Sequence, residues 1–298
     1  MQGSWIDDTH ALLGTAADST APTRRLALKS AIGLGYVAAA APLMAQTAIQ
    51  TPGQGLVEGE VMIDVDGFKM PAYRSAPAGK NNLPVVLVIS EIFGVHEYIA
   101  DVTRRFAHAG YLAIAPELFV RQGDPSSYGE IAKLQTEIIA KVPDAQVMHD
   151  LDATLKWASQ HGGNAKRAAI TGFCWGGRIT WLYAAHNPQL KAGVAWYGRM
   201  EGQVTANNPK HPVDLVHNLK APVLGLYGGQ DTGIPVTSVN HMKDALAAAK
   251  ANAAAQACEF VLYPDAPHAF HADYRSSYRA GPATDGFARA LAWFKQRV

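Results

Sequence analysis

The chain has 298 residues, of which 48% are apolar and 17% charged, and its formal net charge is +1. This is a globular composition with ample material for a core, and the length allows one or two domains. So small a net charge excludes steering toward nucleic acid or an anionic membrane surface, and two cysteines, Cys174 and Cys258, are too few for a disulfide framework.

Residues 1–55 read as a leader and linker rather than as part of the fold. Thr23-Arg24-Arg25-Leu26-Ala27-Leu28-Lys29 is followed by a mild apolar run from Ala31 to Ala41 and then by Pro42-Leu43-Met44-Ala45. A charged start, a short apolar middle and small residues near the end describe a secretory signal. The Arg24-Arg25 pair makes residues 20–47 resemble a twin-arginine export signal with cleavage near Ala45. The apolar run is too short to span a bilayer. The expectation is a periplasmic protein. The alternative is an amphipathic or buried N-terminal helix on a cytoplasmic one. Gln46 to Gly55, polar with Gly and Pro, reads as a linker.

From Leu56 to the C-terminus the pattern is that of one domain. Val57 to Val65 alternates apolar and polar residues, Asp66-Gly67 is a tight turn, and Phe68 to Ser75 is the return strand. Leu83 to Ser90 is a continuous apolar run, as in a parallel strand covered on both faces. A helix over Tyr98–Ala109 leads through Gly110 to a strand at Tyr111–Ala115. Helices are predicted over Tyr128–Ala140 and Asp144–Gln160, then a strand at Arg167–Thr171, a helix at Gly176–Ala185 and a strand at Ala192–Trp196. Strand Pro222–Tyr227, helix Pro235–Asn252, strand Cys258–Tyr263 and helix Thr284–Lys295 complete the chain. Strands alternating with helices predict an α/β fold. Its sheet is mostly parallel, with helices on both faces and right-handed crossovers, and the opening hairpin forms an antiparallel edge.

The strongest local signal is Gly172-Phe173-Cys174-Trp175-Gly176-Gly177, directly after a strand and before a helix. It has the form of a nucleophile elbow with Cys in the place of Ser. The sharp turn forces the nucleophile's backbone into a strained region, and close strand–helix contact leaves no room for Cβ atoms beside it. The helix N-terminus then aims free N–H groups at the sulfur. A buried structural cysteine in a glycine-rich turn is the plainer alternative.

A thiol nucleophile needs a base, and the base needs an orienting group. In the order nucleophile, acid, histidine, the chain offers Asp231 in Gly228-Gly229-Gln230-Asp231 and His268 in Pro267-His268-Ala269-Phe270. Each follows its own strand, at the end of a parallel sheet where ligands gather. His271 is the competing histidine. Most of the others fall in predicted helices or long polar loops. His96-Glu97 is an isolated pair, and neither H-E-x-x-H nor C-x-x-C occurs, so neither a metal nor another cofactor is expected.

Together with Glu91-Ile92-Phe93-Gly94-Val95 and Tyr197-Gly198, these motifs resemble the dienelactone hydrolases (carboxymethylenebutenolidases) of the α/β-hydrolase superfamily, from about Leu56 to the C-terminus. The resemblance implies an α/β-hydrolase fold and cleavage of a small-molecule carboxylic ester or lactone through a thioester. It implies Cys174 as nucleophile, His268 as base, Asp231 as its orienting acid and Glu91 as a gate on the thiol. The backbone N–H groups of Ile92 and Trp175 would form the oxyanion hole, and Tyr197, Phe93 and Arg275 would contact substrate. The family's arginine shortly after the histidine is absent: His271 and Ala272 stand there, and Arg275 is the next arginine. The alternatives are a thioesterase, amidase or peptidase with the same triad, and an exported binding protein on this scaffold. A monomer or small homo-oligomer is expected.

Overall fold

A computed structural model describes residues 49–298; the leader and its cleavage site lie outside the described residues. The described residues form an eight-stranded sheet with the order β1-β2-β4-β3-β5-β6-β7-β8. The strands are β1 (Leu56–Val65), β2 (Phe68–Pro77), β3 (Leu83–Ile89), β4 (Leu112–Pro116), β5 (Gly163–Phe173), β6 (Leu190–Trp196), β7 (Val223–Gly228) and β8 (Glu259–Tyr263). Strand β1 pairs antiparallel with β2, and β2 antiparallel with β4. Every pairing from β4 through β8 is parallel. The expected α/β architecture with its antiparallel edge is therefore what these residues form.

The helices are α1 (Glu97–His108), α2 (Ile131–Glu137), α3 (Asp144–Gln160), α4 (Trp175–His186), α5 (Val236–Ala248), α6 (Ala253–Gln256) and α7 (Ala280–Lys295). Helix α7 buries one stripe, with Gly286, Ala290 and Trp293 among its residues, whereas α4 is buried at every position from Gly176 to Ala184. Strands β3, β4 and β7 are apolar and almost wholly buried, so both sheet faces are covered. No helix among the described residues is long and apolar enough to cross a membrane.

The differences from expectation have local causes. The helix expected over Tyr128–Ala140 is split: α2 ends at Glu137, and a separate 3-10 turn spans Ile139–Lys141. The break lets Leu134, Ile138 and Ile139 all be buried. The helix expected to run to Asn252 stops at Ala248, because Asn252 caps α6 by accepting from Ala255 N–H. Its amide also donates to the carbonyls of His217 and Leu219. Helix α7 begins at Ala280 instead of Thr284; Pro282 sits in its first turn, where its missing N–H costs nothing.

The linker expected over Gln46–Gly55 is, from Ile49 onward, docked on the body. Thr51 donates its N–H and hydroxyl to Asp101 of α1, and His108 Nε2 lies 2.7 Å from the Pro52 carbonyl. Asp101 is itself buried and held by Arg105. An Asp101→Ala change should release this segment. Hydrogen exchange at the Thr51 amide is expected to accelerate at least about tenfold, from the loss of a charged hydrogen bond, with the β3 amides much less affected.

Candidate active site

Cys174 occupies the single position between β5 and α4, with φ +54° and ψ −112°. Such backbone costs about 1–3 kcal/mol for a non-glycine residue and persists only when the surroundings fix it. The glycines around it do so by allowing contacts that no side chain would permit. A Cβ on Gly172 would stand 2.1 Å from the Gly176 carbonyl oxygen, and one on Gly176 would stand 2.4 Å from that of Ile89. Gly177 meets Gly198 and the Trp196 carbonyl just as closely, which locks α4 against the end of β6. Cys174 N–H donates to the Trp196 carbonyl at 3.0 Å, and the Cys174 carbonyl receives Gly177 and Arg178 N–H. The side chain is thereby presented, half-buried, at the C-terminal edge of the sheet.

Asp231 follows β7 and His268 follows β8, and the two loops are joined backbone to backbone. Gly229 N–H donates to Tyr263 O at 2.8 Å and Gln230 N–H to Ala266 O at 3.0 Å. A Cβ on Gly228 or Gly229 would stand within 2.5 Å of a backbone oxygen of the partner loop, so the expected Gly-Gly serves this contact. Asp231 uses Oδ1 to accept Gly233 and Ile234 N–H, both at 3.0 Å, and Oδ2 to pair with His268 Nδ1 at 2.7 Å. Both side chains are buried. Burial alone would lower the proton affinity of His268. Asp231, with a contribution from Cys174, overcomes it and holds the imidazole well above its usual range. The buried Nε2 makes no hydrogen bond among the described residues. It lines the same cavity as Cys174.

His271 stands in a different environment. Its Nδ1 lies 2.6 Å from the Tyr98 hydroxyl, and its ring packs on Trp196 and Phe173 at 4.4 and 5.1 Å. Burial, and then Arg105, push it well below the usual imidazole range. His268 and not His271 therefore carries the carboxylate. His149 pairs with exposed Asp66, and His186 and His241 pair with half-buried Asp152 and Glu201.

Glu91 lies in the loop after β3 and is 2% exposed. The Tyr274 hydroxyl donates to its Oε1 at 3.4 Å, and His96 Nε2 lies 3.3 Å from its Oε2. His96 therefore belongs with Glu91, while its sequence neighbour Glu97 pairs with Arg104. The loop itself is held by Glu117, whose Oε1 accepts Val95 N–H at 2.7 Å. The backbone N–H groups of Ile92 and Trp175 have no hydrogen-bond partner among the described residues. Both residues line a cavity of about 160 Å³ with Cys174, Tyr197 and His268. Its outer wall comes from α2 and the following turn (Gln135, Ile139) and from Arg199 and Asn208, none of which the sequence singled out. Phe93 and Arg275 are not among the lining residues. The Arg275 guanidinium lies 5.0 Å over the Phe93 ring, and its Nε donates to the Tyr274 hydroxyl at 3.1 Å. Cys258 is a half-buried free thiol like Cys174, and desolvation pushes its pKa up to about 12. Among the described residues no three His, Cys, Asp or Glu side chains converge as metal ligands.

Residues 70–298 match the sequence model of the dienelactone hydrolase family. A protein of Escherichia coli K12 named "Putative carboxymethylenebutenolidase" is 56% identical over 263 residues, spanning 88% of this chain and 95% of that one. A protein of the same name from Methylorubrum extorquens AM1 is 53% identical over 285 residues, 95% of this chain and 96% of that one. A crystal structure described as "Putative Dienelactone Hydrolase" from Klebsiella pneumoniae is 57% identical. It superposes with a TM-score of 0.78 over 81% of this chain and 99% of its own. The fold is thus the α/β-hydrolase fold.

The His268–Asp231 pair makes a signed prediction. A histidine whose proton affinity rises on folding stabilises the fold fully below its unfolded pKa of roughly 6.5, and that contribution is lost as pH rises through the folded value. An Asp231→Asn change should therefore destabilise most on the acid side, by roughly 1.5–3 kcal/mol for a buried charged hydrogen bond. The deficit should shrink as the pH is raised, as read by urea unfolding at a series of pH values.

Proposed function

The chain belongs to the dienelactone hydrolase family, and from that premise we propose that it cleaves a carboxylic ester or lactone through a Cys174 thioester, with His268 and Asp231 completing the triad. The observation that carries this reading is the buried 2.7 Å pair of His268 Nδ1 with Asp231, which leaves Nε2 for chemistry in the cavity that Cys174 shares. Cys174 thiolate attacks the carbonyl carbon, and the free N–H groups of Ile92 and Trp175 receive the developing oxyanion. His268 gives its Nε2 proton to the leaving oxygen. It then takes a proton from water, whose hydroxide breaks the C–S bond of the thioester and frees the acid. Glu91 acts as the gate, accepting the thiol proton when substrate enters.

The cavity's apolar wall of Ile92, Ile139 and Trp175 suits a small acyl group, with Tyr197 beside it and Phe93 and Arg275 behind Tyr274. A Cys174→Ala variant should lose at least about 10⁴-fold in turnover, the scale on which triad nucleophiles act, while its circular dichroism and Tm stay near wild type. Wild-type ester cleavage by that variant would overturn the assignment. A panel of lactone, aryl ester, thioester and peptide substrates separates ester or lactone cleavage from the thioesterase, amidase and peptidase readings. Export is proposed on the Arg24-Arg25 motif alone. Lysine at both positions should move the protein from the periplasmic to the cytoplasmic fraction.

A further inference from the structure

Glu91 has a neighbour on its far side that the acyl-transfer scheme leaves idle. His96 Nε2 stands 3.3 Å from Glu91 Oε2. The Glu91 side chain is 3% exposed and that of His96 is 13% exposed, so the pair steps outward from the buried site toward water. Three aromatic rings fix the orientation of the imidazole: Tyr274 edge-on at 5.0 Å, Tyr98 stacked at 5.9 Å and Phe93 edge-on at 6.5 Å. The charged and titratable groups that face it are Glu91 from its own loop, Tyr98 from α1, and Tyr274 with Arg275 behind it from the loop after β8. Ile92, the residue after Glu91, lines the cavity with Cys174, and Gly176 of the elbow packs on the Ile89 and Ser90 carbonyls just before Glu91, so thiol and carboxyl belong to one site.

While Sγ is held in the thioester, a gate that has accepted the thiol proton is a buried neutral acid beside the Arg275 cation, and shedding that proton restores the ion pair. We infer that His96 is the relay by which Glu91 exchanges this proton with solvent; the inference rests on the reading of Glu91 as the gate. The proton leaves Cys174 Sγ for a Glu91 carboxylate oxygen, passes from Oε2 to His96 Nε2, and goes to water. The Sγ electron pair is then free to form the C–S bond. The leaving oxygen takes its proton from His268, not from this path. After the thioester is hydrolysed, a proton returns along the same path to the thiolate, so the cycle balances. His96 touches no substrate; it acts through Glu91 and is a positioning residue.

The test uses the full chain and the best substrate of the panel. His96→Ala opens a ring-sized space near the surface, whereas His96→Phe keeps a ring that cannot carry a proton. Both should lower kcat by about 10²-fold or more, the scale of general acid–base effects, with KM little changed. Added imidazole should restore turnover in His96→Ala, with saturation, and should leave His96→Phe slow. The matching Cys174→Ala double variants supply the uncatalysed imidazole background. Wild-type kcat in a folded His96→Ala protein, or a deficit that imidazole does not repair, would sink the relay. If His96→Ala fails to fold, His96→Phe alone decides: a wild-type kcat there overturns the inference. Glu91→Gln separates the two levels. A fast Glu91→Gln enzyme removes the gate itself, whereas a slow Glu91→Gln with a fast His96→Ala removes only the relay.

Discussion

The site depends on one constraint: a non-glycine residue, Cys174, must sit at φ +54° between a buried strand and a buried helix. That geometry raises the side chain above the sheet edge and leaves the next N–H, that of Trp175, without a partner in the helix it begins. The cost is about 1–3 kcal/mol, and it is offset by backbone-to-backbone packing that only glycine allows at 172, 176, 177 and 198. Strand β5 lies between β3 and β6 in the sheet, so both neighbours contribute: the Ile89 carbonyl on one side, Trp196 and Gly198 on the other. These contacts act together with the hydrogen bonds of the Cys174 N–H and carbonyl, which tie the turn to β6 and to the helix it opens.

The same economy sets the two histidines apart. His268 and His271 lie three residues apart, both buried, yet folding pulls their proton affinities in opposite directions. The difference lies in what each ring faces. His268 meets a carboxylate pinned by two backbone N–H groups, while His271 meets a tyrosine hydroxyl within the field of Arg105. Opposed environments of this kind mark which ionisable group can exchange protons and which serves as packing.

The elbow and the triad candidates were legible because their signals are local. Glycines stand where backbone meets backbone, and Asp231 and His268 each fall in the first loop after an apolar run. The neighbours of Glu91 were not. Tyr274 reaches it from 183 positions away, and no periodicity records such a contact. Sequence adjacency of His96 to Glu97 says nothing about which way the ring turns, and it turns to Glu91. The cavity wall around Gln135 and Ile139 was hidden inside a helix drawn too long, because burial of Ile138 and Ile139 by tertiary contact overrides helix continuity. The docked stretch from Ile49 to Gly55 looks like a linker in sequence because Gly and Pro report turns, not what the turns rest on.

Arg275 shows how sequence distance misleads when a loop coils. Counted along the chain, it lies too far past His268 to stand where the family's arginine would. The loop tightens in successive turns, with Ala272 N–H donating to Ala269 O, and Arg275 N–H to Ala272 O, each at 3.0 Å. Arg275 is thereby brought into the nest, where burial opposes its charge and Tyr274, Glu91 and Cys174 favour it. In the proposed mechanism this has an electrostatic consequence. Thiol, carboxylate and guanidinium sum to zero, and so do thiolate, carboxylic acid and guanidinium. Moving the proton from Sγ to Glu91 shifts the negative charge within a nest whose net charge is unchanged, so no unpaired buried ion is created and the large desolvation penalty of one is avoided. A half-buried cation that stays put while its anionic partner changes from carboxylate to thiolate is what allows this first transfer to precede any exchange with water.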